Sequence, residues 1–423
     1  MFSFRTNVKL DELNHWWAEK SVRPELVPKT RRAIFTVIKR ELKRRQIQIL
    51  FGLRRVGKST IFYQLIDELI KSGVDPLHIV YCNFDEPELQ EKRIGEHLKE
   101  FSRLTGVDYK KERLYLFLDE AQKSPSWVAD VKLLYDTLPN IKILVSGSAS
   151  LNILSEAKKS LAGRALYYEL KPLSFSEFLH FKGIRVEKRR YLLYRDVLER
   201  EFSNFLLRPF PELVNESDVS FIKRYVRSSV IEPIILKDIP KEFKGADVLL
   251  LEKIINLFLS NPGQYLMLDE LARDLKRGKA TLYKVLFYLE FSFLVKRILN
   301  YRPSLRAASR KLSKLYAYHP CLTLPFDVPR EKFAENLVMF ESEAKYYWRE
   351  GEKEVDFLKD FIPIEVKLKS KITRRDIKWV SFFLRKYGKK LDVREGYVIT
   401  KDLRGKLDNI NLMPLWEFCF KGI

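Results

Sequence analysis

Over the first 170 residues, short, mostly apolar runs alternate with stretches in which apolar residues recur every three or four positions. The runs are Ile47–Phe51, His78–Asp85, Leu114–Leu118 and Ile141–Val145. Apolar runs of this length predict strands buried on both faces, as in a parallel sheet. Between them, Ile61, Leu65, Ile66 and Leu69 fall on one side of a helix, and a further helical stretch runs from about Leu89 to Leu104. Ahead of the first run, Ile34, Val37, Ile38 and Leu42 predict an amphipathic helix from about Thr30 to Arg45, after a polar lead-in. Strands alternating with helices imply a three-layer α/β core with ligands at the strand C-terminal ends.

Beyond residue 170 the pattern changes. Phe175–Phe181, Arg189–Phe205 and Phe221–Ile235 read as helices, so residues 170–245 form a helical lid or connector after a core over residues 1–169. Val248–Leu259, Met267–Leu275 and Ala280–Leu289 are three further helices, followed by strands at Phe293–Ile298 and Lys314–Tyr318. Three helices and a two-stranded wing over 246–329 make a winged helix. The rest, 330–423, reads as an α/β domain with strands at Tyr346–Arg349, Glu354–Leu358 and Ile362–Leu368, a helix over Arg374–Lys386 and a later strand at Tyr397–Thr400.

The chemistry enters at the first strand-to-helix junction. Gly52, Gly57, Lys58 and Ser59 fit G-x-x-x-x-G-K-S/T, with strand before and helix after. Such a loop, here Gly52, Arg54, Arg55, Val56, Gly57, Lys58, Ser59 and Thr60, turns its amides around a phosphate at a helix N-terminus. Lys58 would reach the β- and γ-phosphates and Ser59 would ligate Mg²⁺. About sixty residues on, the Leu114–Leu118 run ends at Asp119-Glu120. Asp119 there would hold Mg²⁺ through water, and Glu120 would orient and deprotonate the attacking water. The Ile141–Val145 run ends in Ser146-Gly147-Ser148, where either serine is a candidate sensor of the γ-phosphate, with Ser148 as a candidate catalytic group. These features predict nucleoside triphosphate binding.

Charge adds a second prediction. The 423 residues carry a net +22, which favours nucleic acid or another anionic partner. Between Leu271 and Lys314, twelve basic residues face two acids. Lys276, Arg277, Lys279 and Lys284 flank the third helix of the winged segment, and Arg302, Arg306, Arg310 and Lys311 occupy its wing. These would engage DNA phosphates, giving affinity without sequence choice; a protein-binding winged helix is the competing reading. No apolar run reaches the length of a membrane span, the N-terminus lacks a signal-peptide core, and three scattered cysteines make neither a disulfide framework nor a zinc pattern. The expected location is cytoplasmic, with no membrane partner. The five histidines show no ligand spacing.

In the terminal domain, Asp356, Glu365 and Lys367 fit D-x(8)-E-x-K, with Glu335 on the preceding helix. Glu365 and Lys367, two apart, share one strand face. Asp356 would complete with Glu365 a carboxylate pair for Mg²⁺, the metal would activate water against a phosphodiester, and Lys367 would stabilise charge. The arrangement resembles the restriction-endonuclease-like core.

Taken in order, Phe51–Thr60, Phe117–Gln122, Trp127, Val145–Ser148, Leu161-Ala-Gly-Arg164 and Leu170–Leu179 resemble the archaeal and bacterial AAA-type ATPases that carry a C-terminal restriction-endonuclease-like domain. The resemblance covers most of the chain. It implies ATP rather than GTP, a lid followed by a winged helix, and Arg164 as an arginine finger or γ-phosphate sensor in a homo-oligomer. Arg164 as a structural partner of a nearby carboxylate is the alternative. Where such proteins have a glycine-rich turn, this chain has Leu207–Glu212, a departure that leaves the local geometry open. Three functions follow: an ATPase coupling turnover to DNA remodelling or processing, an ATP-gated nuclease, and a nucleotide switch that recruits protein.

Overall fold

The structure, a computed structural model, describes residues 10–124, 126–148, 157–302 and 312–423. The chain divides into two compact units, Met1–Pro172 and Leu173–Ile423.

In the first unit, five parallel strands form one sheet: β1 (Ile47–Gly52), β2 (Ile79–Asn83), β3 (Leu114–Asp119), β4 (Ile141–Ser148) and β5 (Ala165–Glu169), in the order β2-β3-β4-β1-β5. The first four carry the expected apolar runs, and β1 and β4 are buried along their whole length. The strand at β5 is not anticipated by the apolar pattern. It is a half-buried edge strand, Ala-Leu-Tyr-Tyr-Glu, so it never needs a continuous aliphatic run. The sheet is enclosed by α1 (Ile34–Arg40), α2 (Lys58–Lys71), α3 (Ile94–Thr105) and α4 (Trp127–Thr137). After β1 the chain crosses to the far edge and then steps back strand by strand. The reversal leaves the β1 C-terminus beside the end of β4, the kind of position where α/β sheets bind ligands.

Two expectations for residues 10–46 need correction. The helix expected to reach Arg45 is α-helical only over Ile34–Arg40, with a 3₁₀ turn at Glu41–Lys43. Here the buried Lys142 ammonium of β4 takes the carbonyls of Arg44 at 2.8 Å and Gln46 at 2.6 Å. Those carbonyls are thereby satisfied without helical partners. The lead-in is not a loose polar segment either. Helical turns at Leu10–Leu13 and Trp16–Glu19 cover the outer edge of β2. The fully buried Asn14 donates to Tyr81 O at 2.9 Å and accepts from Tyr81 N at 2.7 Å, and Trp17 Nε1 donates to Ile79 O at 2.8 Å. Side chains thus satisfy an edge that would otherwise expose unpaired backbone groups.

The second unit is built on a nine-stranded mixed sheet: β6 (Gln264–Tyr265), β7 (Val295–Asn300), β8 (Lys314–Ala317), β9 (Tyr346–Glu350), β10 (Lys353–Lys359), β11 (Ile362–Lys367), β12 (Gly396–Thr400), β13 (Gly405–Leu407) and β14 (Ile410–Pro414). Its order is β13-β14-β12-β11-β10-β9-β7-β8-β6, and a parallel β7–β9 pairing makes it continuous. Alternation along the strands separates two cores. Tyr347, Phe357 and Ile399 join one, with α5 (Phe175–Phe181) and α6 (Arg195–Leu207). Trp348, Leu358 and Val398 join the other. Such a split follows from the two-residue period of a strand. Helices α7 (Val248–Ser260), α8 (Leu268–Asp274), α9 (Lys279–Phe291), α10 (Arg330–Ser342), α11 (Lys378–Leu391) and α12 (Leu415–Lys421) complete the unit. The segment expected as one helix over Phe221–Ile235 is α-helical at Val219–Tyr225 and π-helical at Val226–Ile231 and Ile234–Asp238. The π turns flank Pro233, which has no amide hydrogen for a regular helix. Among the described residues, no helix is long and apolar enough to cross a membrane.

The edge cover of β2 makes a stability prediction. Asn14→Leu keeps the branched heavy-atom outline but strips Tyr81 of both backbone partners, so the first unit should lose about 2–4 kcal/mol in denaturant unfolding. A loss under about 0.5 kcal/mol would show that the amide contacts do not stabilise the edge.

Candidate active site

The phosphate-type loop leaves β1 at Gly52 and enters α2 at Lys58. Its shape depends on backbone conformations open to few residues: Gly57 has φ 95° and Arg55 φ 66°. At Gly52, φ is 156° and an added Cβ would lie 2.2 Å from the carbonyl oxygen of Leu170. Only glycine allows that approach. Val56 is fully buried, and its carbonyl accepts from Arg32 Nη1 at 2.7 Å. The other arm of this guanidinium donates to Lys171 O at 2.7 Å. Arg32, read from sequence as part of the basic face of a helix, instead ties the loop to the chain following β5. Arg55 is exposed and Arg54 half-buried, while Ser59 and Thr60 lie in the first turn of α2.

Lys58 is buried, with Nζ against the carbonyls of Gly52 at 3.3 Å and Leu53 at 3.0 Å and 3.7 Å from Glu120 Oε1. The fold therefore brings the loop lysine and the acid after β3 together although β4 separates their strands. Asp119 is almost wholly buried and held by three donors: Tyr81 OH at 2.8 Å, Glu120 N at 3.1 Å, and the Ser146 hydroxyl. Burial, then the Asp119 charge, push the Tyr81 hydroxyl well above its ordinary value, so it stays a donor. Ser148 pairs in register with Gly52 and receives a hydrogen bond from Gln122 Nε2 at 2.9 Å. The same nitrogen donates to Glu120 Oε2 at 2.7 Å. Ser146 thus orients Asp119, while Ser148 and Gln122 form a polar link to Glu120. Tyr81 and Gln122 escaped the reading of the sequence. Gln122 had a usable signal, standing two residues after Glu120 in the turn that closes the strand.

Arg164 is not brought to this cluster. Its carbonyl accepts from Ile47 N at 2.9 Å, at the N-terminal end of β1, and its guanidinium pairs with Asp136 at 2.8 Å. In a parallel sheet that is the end opposite the loop, about 17 Å from Gly52 at the usual strand rise. Within one chain, Arg164 does not address a phosphate held by Lys58.

In the second unit, Glu335 of α10, Asp356 of β10 and Glu365 and Lys367 of β11 belong to one buried ionic cluster. Asp356 and Glu365 stand one residue beyond the paired Phe357 and Ile364. Asp356 Oδ2 accepts from Val366 N at 2.8 Å, and Lys367 Nζ donates to Glu365 Oε1 at 2.5 Å. Glu365 Oε2 is buried without a hydrogen-bond partner. Burial first, then the Glu335 charge, raise the Asp356 carboxyl; burial, then Asp356, raise that of Glu365. Glu335 Oε1 accepts from Tyr316 OH at 2.7 Å and lies 3.7 Å from Lys314 Nζ. The buried Lys314 also pairs with Glu354 Oε1 at 2.5 Å. Lys314, expected as a plain wing strand residue, is therefore the central cation of this cluster. Its signal was a lysine and a tyrosine two apart in an otherwise apolar strand. Among the described residues, no group of three His, Cys, Asp or Glu side chains is placed to hold a metal ion. Glu365 Oε2, with Asp356 on the facing strand, is nevertheless an acceptor open to a cation.

The residues expected at DNA are dispersed in role. Arg277 pairs with Asp247 at 3.3 Å, Lys279 pairs with Asp269, and Arg302 Nη2 donates to Arg349 O at 2.6 Å. Lys276 and Lys284 are exposed. Arg306, Arg310 and Lys311 lie outside the described residues. On α9 the outward side also carries Tyr283, 52% exposed, and Phe287, 45% exposed.

With this geometry in place, comparison with known proteins adds the following. Residues 44–179 match the family described as AAA domain, and residues 173–324 match a domain of unknown function, DUF8612. An uncharacterized protein of Methanocaldococcus jannaschii is 29% identical over 282 residues, which cover 62% of this chain and 58% of that protein. A second uncharacterized protein of the same organism is 27% identical over 389 residues, covering 87% of this chain and 81% of its own. The chain thus spans little more than half the length of the first of these relatives. Among solved structures, AMPPCP-bound DnaA from Aquifex aeolicus aligns at 17% identity with a TM-score of 0.29, covering 62% of this chain and 89% of its own. A score that low bears on neither fold nor function here. The segment that holds the glycine loop, Asp119 and Glu120 is similar to AAA domains.

Proposed function

We propose that the protein is a Mg²⁺-dependent, AAA-type ATPase of the cytoplasm that binds DNA and couples ATP turnover to its remodelling or processing. The observation that carries the ATPase reading is the convergence of Lys58, Glu120, Asp119 and Ser148 on the end of β1, reinforced by the AAA-domain match over the same residues. Lys58, held at the mouth of the loop, supplies a cation for the β- and γ-phosphates. Ser59 and Asp119 are the groups to hold Mg²⁺, which would screen phosphate charge. Glu120, linked to Ser148 through Gln122, takes the proton of the attacking water. DNA binding draws support from the net +22 and from the exposed Lys276 and Lys284.

Arg164 sits at the wrong end of its own sheet, so a catalytic role for it requires a neighbouring copy. The protein then works as a homo-oligomer, each Arg164 completing the next subunit's site. Glu120→Gln is expected to bind ATP like wild type and lose about 10²–10⁴ in kcat, measured by phosphate release beside nucleotide titration. Wild-type turnover in that variant refutes the role given to Glu120. Arg164→Ala should also be inactive, and mixing it with Glu120→Gln should restore part of the turnover, because some mixed interfaces hold one intact Glu120 and one intact Arg164. A mixture as inactive as its components removes Arg164 from the chemistry.

A second reading, an ATP-gated nuclease, rests on the unpartnered Oε2 of buried Glu365 beside Asp356 and Lys367. Asp356 and Glu365 would hold the divalent cation, and Lys367 would stabilise charge on the phosphate. Duplex, single-stranded and junction DNA incubated with Mg²⁺ should then yield products with wild type and none with Lys367→Ala. Intact DNA throughout would leave the terminal region a binder.

A further inference from the structure

A further strongly basic stretch lies neither on α9 nor in the wing. From Lys369 to Lys390 there are nine basic residues and one acid, Asp376, a net of +8. Within this stretch, α11 is anchored by Val380, Phe383 and Tyr387, which are buried in the second core. The helix is therefore rigid and its opposite side faces solvent. On that side stand Lys378, Arg385 and Lys389, at intervals of seven and four residues. At 3.6 residues per turn they fall within about 40° of one another, along about 16 Å of helix. All three are exposed, and none has an ion-pair partner among the described residues. Their neighbours Lys369 and Lys386 differ, being paired with Asp376 at 2.8 Å and Glu350 at 2.6 Å.

We infer that α11 is a phosphate-backbone contact surface, engaging double-stranded DNA along the line Lys378, Arg385 and Lys389. This rests on the DNA-binding reading above and moves the main contact from α9 to α11. On α9 the flanking Arg277 and Lys279 already face Asp247 and Asp269, and aromatic side chains share the exposed side. On α11 three unpaired cations form a straight row on a fixed element, matching the repeated charges of one strand of a duplex. The apolar side of the helix is occupied by the protein core, so α11 has nothing to insert into a bilayer. Around the row, Lys378 lies 4.3 Å over the half-buried Trp379 and Lys353 lies 3.9 Å over Phe382. The second contact adds one further cation, Lys353, at the same helix surface.

The test uses the full-length protein and a fluorescent 30-base-pair duplex, titrated at several salt concentrations. The triple variant Lys378→Gln, Arg385→Gln, Lys389→Gln is compared with wild type and with Lys276→Gln, Lys284→Gln. Each lost phosphate contact should reduce the salt slope by about 0.9, so the triple variant should lose two to three units of slope and on the order of 100-fold in affinity at low salt. Thermal melts and DNA-free ATP turnover matching wild type show that its fold is intact. Wild-type affinity and slope in the triple variant, with loss in the α9 pair, overturn the α11 surface and leave DNA binding standing. No duplex binding by wild type overturns both. Tighter wild-type binding to phosphatidylserine vesicles than to duplex, lost in the triple variant, keeps the surface and overturns DNA as its occupant.

Discussion

Leu170 donates its amide to Phe51 O at 2.7 Å, and its own carbonyl oxygen fills the space where a side chain at residue 52 would begin. This close crossing of two backbones decides the form of the phosphate loop. It forces glycine at the first loop position, and it makes the loop's starting direction depend on a segment more than a hundred residues away. Arg32 repeats the link on the other side of the loop, joining Val56 O to Lys171 O through one buried guanidinium. A buried arginine is tolerable only when its donors are matched, and here backbone carbonyls accept from both of its Nη groups. Loop, residue 32 and the chain after β5 consequently move together or not at all. Lys58 and Glu120 are held within 3.7 Å of each other by that framework rather than by a strong pairing of their own.

The second unit solves a different problem, how to bury several carboxylates at once. An isolated buried carboxylate is costly, and one left unpaired becomes protonated. Glu335 and Glu354 share Lys314, whose ammonium is raised in pKa by Asp356, Glu335 and Glu354 even though burial opposes it. Glu365 has Lys367, and Asp356 has the Val366 amide. Tyr316 and Lys332 also serve Glu335, and Tyr265 and Arg349 serve Glu354, so the deficit falls on Asp356 and Glu365, whose carboxyls are both pushed up. A cation entering beside them would relieve that deficit.

Much of this was legible in advance, for identifiable reasons. Strands β1 to β4 are buried on both faces, so each is a mostly apolar run, and the polar Gln48 and Lys142 inside them are tied to backbone carbonyls. The glycine loop and Asp119-Glu120 are local in sequence, and their spacing alone carries their chemistry. Residues acting by long-range contact left weaker traces. Asn14 and Arg32 look like ordinary polar positions, because nothing nearby in sequence reveals the β2 edge or the carbonyls they satisfy. Arg164 shows the limit most clearly: its motif suggested the phosphate, and only the parallel register of β1 with β5 reveals that it sits at the opposite end. Lys314 was visible as a charge, and its burial under Tyr265 and Tyr347 was not.

The same distinction applies to the net charge. Counting basic residues singled out Leu271–Lys314, yet many of those cations are engaged inside the protein: Lys314 in the buried cluster, Arg297 with Glu290 at 2.5 Å, Arg277 with Asp247. Surface pairs of this kind contribute little stability, but each lowers the field an approaching polyanion meets. In the stretch from Lys369 to Lys390 a lone acid is available, and Lys369 takes it. The helix period then gathers the unpaired cations onto one side because the other side is held in the core. A binding surface is set by the charge that remains after internal pairing, and by whether a rigid element lines it up; α11 meets both conditions.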